Sequence, residues 1–136
     1  MGITTFEGGM NIVELSRNRF LDSLYPNGLG DNLLIGQVNL DFSDRVTLSI
    51  HTYEPPSKKV EKWGRWGEDY NVVVVNLLLQ FITDCQLNNW QNITSSQVII
   101  ETRDNGVFSL TSQGENWSLN INFKAMTFQG CDVYIK

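Results

Sequence analysis

The chain predicts an α+β fold in which a mainly antiparallel β-sheet meander, about seven or eight strands, carries an N-terminal helical segment packed on it. Three observations predict it. Apolar residues recur with a period of two from Leu33 almost to the end, residues 11–25 carry helix signals, and Asn105-Gly106 separates two strand-like runs. No long linker, internal repeat or low-complexity tract interrupts the 136 residues, so they read as a single domain over 1–136. A domain of that size buries roughly two-thirds of its unfolded surface and needs no metal or disulfide staple.

The helical segment comes first, in one piece or two. Asn18 is a good N-cap, Phe20, Leu21 and Leu24 share a face, and Pro26 with Asn27-Gly28 ends the run. In the first strand the alternation places Leu34, Gly36, Val38, Leu40 and Phe42 on one side and Gln37, Asn39 and Asp41 on the other. Ser43-Asp44-Arg45 then turns the chain. Val46, Leu48 and Ile50 point inward in the next strand, with Thr47, Ser49, His51 and Tyr53 outward, so the two strands form a hairpin.

Val73, Val75, Leu77, Leu79 and Phe81 line one face of a longer strand whose other face, with Val72, Val74, Leu78 and Ile82, is nearly as apolar. A strand apolar on both faces belongs in the centre of a sheet and covered on both sides, with the early helix a candidate cover. Residues 85–90 are expected to continue it after a bulge. Residues 97–103 and 107–111 flank Asp104-Asn105-Gly106 as a hairpin, because both turn residues tolerate positive φ. Trp117, Leu119, Ile121, Phe123 and Ala125 then alternate with Ser118, Asn120, Asn122 and Lys124, and residues 128–135 close the meander after a kink near Gln129-Gly130. Leu48, Leu79 and Phe123 are predicted core.

Between the two β-patterned halves lies a polar interruption at 54–69. Pro55 and Pro56 forbid regular pairing, and Gly64 and Gly67 free the backbone around Trp66. Trp63 and Trp66 sit there among Glu54, Glu61, Glu68 and Asp69 and the cations Lys58, Lys59, Lys62 and Arg65. Two readings stay open: the tryptophans fold back as a lid on the core, or they anchor a binding surface.

Catalytic inventory is thin. His51, the one histidine, falls on a polar strand face, and Cys85 and Cys131 read as free strand-embedded thiols with no feature that would lower a thiol pKa. No ligand spacing implies a metal, and no glycine loop before a helix implies a phosphate cofactor. Asp41 and Asp44 approach each other at a hairpin end, where solvation explains them. The formal charge of −5 argues against nucleic acid or an anionic membrane and suits a basic protein partner. The loop cations beside tryptophan mimic a single-strand platform, but the neighbouring carboxylates cancel most of that charge. Residues 1–10 lack a basic n-region and an apolar core, so a cytoplasmic location is expected. There the sequons at Asn92 and Asn116 would carry no glycan. The apolar run at 72–82, broken by Asn76 and Gln80, is too short to span a bilayer.

The order FLDSLY at 20–25, a hairpin of alternating strands, PPSKKVEKW at 55–63, LLLQF at 77–81 and Asn89-Trp90 resembles the immunity protein 50 family of bacterial polymorphic toxin systems. The resemblance covers roughly residues 18–136. It implies a small cytosolic protein that binds and neutralises a cognate secreted toxin domain, for which a basic nuclease would suit the acidity, and it implies no enzyme. The partner-facing residues expected on this reading are Trp63, Trp66, Glu54, Glu61, Glu68, Asp69, Asp41 and Asp44. The alternatives are a small-ligand-binding protein or hydrolase with a pocket between sheet and helix, or an oligomeric module. The sequence leaves the oligomeric state open.

Overall fold

The computed structural model describes residues 9–136; most of the N-terminal stretch that suggests a cytoplasmic location lies outside them. The chain runs β1 (Gly9–Met10), α1 (Ile12–Ser16), α2 (Arg19–Leu24), β2 (Leu33–Asp41), β3 (Arg45–Thr52), β4 (Val72–Gln80), β5 (Asp84–Asn88), β6 (Val98–Thr102), β7 (Phe108–Gln113), β8 (Ser118–Phe123) and β9 (Ala125–Tyr134). The fold is α+β and mostly β, with every named pair of strands antiparallel.

The strands form two sheets where one meander was expected: a four-stranded sheet in the order β2-β3-β4-β9 and a five-stranded one in the order β1-β6-β7-β8-β5. Two short corners make the difference. After Gln80 the backbone turns through Phe81 at φ 59°, and the Thr83 N–H donates to the Asn122 carbonyl at 2.9 Å. Residues 84–88 therefore pair with β8 as an edge of the other sheet and do not continue β4. The second corner is Lys124, whose N–H donates to the Gln80 carbonyl at 3.0 Å, and there β8 passes directly into β9. The final strand thus returns to pair with β4.

The apolar faces of both sheets supply one core. Ile35, Leu48, Ile50, Val75, Leu77 and Leu79 of one sheet share it with Ile100, Leu110, Leu119, Ile121 and Phe123 of the other. Ile12, Val13, Leu21 and Leu24 of the two short helices join the same cluster, so the helical segment packs on the inner face. Asn18 caps α2 as expected, its side-chain oxygen accepting from the Leu21 N–H at 3.0 Å. Asn11 caps α1 and also binds both backbone groups of Leu29 at 3.0 Å, which ties the helix to the approach into β2.

In β2 the expected inward set is half wrong, for a local reason. The register shifts between Ile35 and Gln37, so Leu33 and Ile35 are buried ahead of the bulge, and the predicted phase holds only from Val38, which faces Leu48. Gly36 occupies the bulge, where a Cβ would run into the His51 ring. Val72 and Val74, on the outer face of central strand β4, are also buried, yet the helices do not cover them. Tyr134 and His51 stand directly opposite them in register, with ring centroids 5.5 Å apart.

His51 Nδ1 shares a hydrogen bond with the Tyr134 hydroxyl at 2.8 Å, and burial pulls its pKa below the ordinary imidazole value. The unfolded chain therefore binds the proton more tightly than the folded one. Stability should decline as pH falls from about 6.5 towards the lower folded pKa. Urea midpoints between pH 7 and pH 5 should fall less steeply in His51→Gln than in wild type, and equal slopes would contradict this.

Candidate functional site

The loop between β3 and β4 is built on the helical segment. The Ser57 N–H donates to the Leu24 carbonyl at 2.7 Å and its hydroxyl to the Ser23 carbonyl at 2.8 Å. The Tyr25 hydroxyl donates to the Glu54 carbonyl at 3.0 Å. A 3-10 turn at Glu61–Trp63 then ends on Gly64 at φ 85°, and Gly67 at φ 88° makes the second turn.

The two tryptophans separate. Trp63 is 8% exposed, packed edge-on against Phe20 and Tyr70 with centroids at 6.1 and 5.8 Å. It is a lid on the core and cannot serve as an interface anchor without leaving its place. Trp66 is half-buried, 5.3 Å from Tyr70, and lines an open groove of about 370 Å³ with Pro56, Lys58, Lys59 and Arg65.

The acidic residues expected around this loop are exposed but do not line that groove. Glu61 and Glu68 reach Lys59 and Arg65 at 3.9 Å each, exposed pairs of small energetic value. Asp69 holds the loop's own backbone, since its carboxylate accepts the Arg65 N–H at 2.8 Å and occupies the space above Gly64.

Asp41 and Asp44 lie elsewhere. They flank the β2–β3 turn, whereas the tryptophan loop leaves the other end of β3, and the eight residues between span about 25 Å. The eight expected partner-facing residues therefore divide between two ends of one sheet. The Asp41 carboxylate accepts the Ser43 N–H at 2.9 Å and pairs with Arg45 at 2.8 Å. The Ser43 backbone bond first, and then Arg45, hold it below the usual carboxylate range. Asp44 takes φ 63°, and its carbonyl accepts the Ile82 N–H at 3.1 Å.

Sequence reasoning missed this end's apolar members. Alternation assigns Leu40 and Phe42 to the buried side and Phe81 to the inner face of β4, yet they are 67%, 99% and 58% exposed. The signal available was their position beside turn residues, where a strand outruns the core it covers.

Among the described residues no group of three or more His, Cys, Asp or Glu could hold a metal ion. No helix there is long and apolar enough to cross a membrane. Both cysteines are free, Cys85 on β5 and Cys131 on β9, and burial pushes the Cys131 thiol up to about 12. That is the reverse of nucleophile activation.

The family model described as Immunity protein 50 matches residues 30–134, which takes in β2 through β9 and the whole tryptophan loop. The FLDSLY helix at 20–25 lies outside the matched stretch. No curated protein and no solved structure matches the chain.

Proposed function

The chain belongs to the immunity protein 50 family, and from that premise we propose that it binds and neutralises the toxin domain of a bacterial polymorphic toxin system in the producing cell's cytoplasm. Neutralisation is by stoichiometric occlusion, without turnover. The observation that carries this reading is the family match over residues 30–134.

The chemistry of the chain supports it. A binding protein needs a stiff scaffold and a complementary surface, and antiparallel ladders around one core provide the first. The net charge of −5 would speed encounter with a basic partner such as a nuclease domain. Of the residues expected to meet the partner, Glu54, Glu61 and Glu68 are exposed and Trp66 half-buried at the loop end, Asp41 and Asp44 are exposed at the other, and Trp63 is withdrawn into the core.

Titration calorimetry with the purified toxin domain encoded beside this chain should reach equivalence at about one protein per toxin, with an association rate that falls as salt rises. Toxin activity should vanish at the same ratio. Protection at far lower ratios would indicate turnover and exclude the occlusion mechanism.

A further inference from the structure

The core's claim on the β2–β3 hairpin ends at Val46, yet Leu40, Phe42 and Phe81 project beyond it. Phe42 is 99% exposed, so its ring contributes no packing to the fold. The three residues share one end of the sheet: Leu40 faces Val46, Arg45 faces Gln80 beside Phe81, and the Asp44 carbonyl holds the Ile82 N–H. An open groove of about 250 Å³ beside Phe81 is lined among others by Leu40, Phe42, Asp44, Arg45, Ile82 and Asp84. Clustered large apolar side chains on an exposed surface mark interaction sites more often than scattered ones do.

The charge around them is negative on balance, since among the described residues two carboxylates without an ion pair, Asp44 and Asp84, stand against one such cation, Lys124. Of the cations at this end, Arg45 is paired with Asp41, and Lys124 stands at the β8–β9 corner. The backbone is also held in place, with Asp44 and Phe81 both at positive φ and the turn bridged by the Asp41 carboxylate. A surface already ordered loses little entropy when it binds. The tryptophan loop offers the opposite: a groove lined by cations, with the Trp63 ring turned inward and only Trp66 at the groove.

We infer that this acidic, aromatic end of the four-stranded sheet is where the toxin docks, Phe42 entering an apolar pocket of the toxin whose rim carries lysine or arginine facing Asp44 and Asp84. The inference rests on the proposed function and places its interface.

Binding kinetics against the purified toxin domain test it with four proteins: wild type, Phe42→Ala, the double variant Asp44→Asn with Asp84→Asn, and Trp66→Ala. Asparagine tolerates the left-handed backbone at 44, so the double variant removes charge and keeps the turn. Phe42→Ala should raise Kd about thirtyfold or more, mostly through the dissociation rate. The double asparagine variant should associate more slowly and show a shallower salt dependence, and Trp66→Ala should stay within about threefold of wild type. Phe42→Ala binding like wild type, or Trp66→Ala alone losing affinity, would overturn the docking site while leaving stoichiometric binding intact. A wild-type protein that binds no toxin would instead sink the functional reading. Sedimentation velocity should find the free wild type monomeric, and a dimer dispersed by Phe42→Ala would give this face to a second copy and overturn the inference.

Discussion

Phe123→Ala should destabilise the protein by about 3–5 kcal/mol, a large share of the roughly 5–15 kcal/mol typical of a folded domain. Phe123 is fully buried on β8, directly opposite Phe108 with ring centroids 5.8 Å apart, one residue before the chain crosses between sheets at Lys124. Truncation leaves a cavity beside a corner that the Lys124 to Gln80 backbone bond holds shut, so the walls have little freedom to collapse. Leu48→Ala and Leu79→Ala, on the facing sheet and equally buried, should each cost about 2–5 kcal/mol. Urea denaturation measures all three. A loss below about 1 kcal/mol for Phe123→Ala would show that the inward face of β8 is not packed as described.

The residues that carry this prediction were legible from alternation alone. Trp117, Leu119, Ile121 and Phe123 are buried in the predicted phase, and Asn105 and Gly106 take the positive φ that the hairpin signal requires. Alternation is a local property and reports which face is apolar, so it succeeded wherever a strand runs straight. It says nothing of which sheet a strand joins. The first corner spans residues 81–83 and the second Lys124 alone, and neither Phe81 nor Lys124 is a residue type that announces a turn. A five-residue strand such as β5, with one half-buried thiol among exposed neighbours, carries too few apolar positions to declare its partner.

The candidate surfaces were less legible, because exposure depends on where the core stops. Leu40 and Phe42 satisfy the same period as Val38, and only the length of the covering layer leaves them in solvent. The grouping of acidic residues failed for a related reason. Glu68 and Asp41 look alike in sequence, but β3 holds them at opposite ends of the sheet, and Asp69 is taken up by its own loop.

Trp63→Ala should cost about 3–5 kcal/mol of stability, whereas Trp66→Ala should cost about 1–2 kcal/mol, although the two rings are three residues apart. Trp63 bridges three parts of the molecule: Phe20 of α2 on one edge, Tyr70 at the entrance to β4 on another, and through Phe20 the Phe128 ring of β9 at 6.3 Å. Its loss removes the buried anchor of the loop and exposes the apolar side of α2. Hydrogen bonds from Ser57 to residues 23 and 24 would remain, so the loop should loosen without detaching. Gly64 sets the geometry that brings this ring inward, since its φ of 85° and the Asp69 carboxylate above it leave no room for a side chain. Trp66 rests on Tyr70 alone among these aromatics and keeps its other face in solvent, so its removal forfeits about half as much apolar burial. Denaturation midpoints of the two variants decide the assignment. A reversed order, with Trp66→Ala the less stable protein, would mean that Trp63 is not the ring that closes the core.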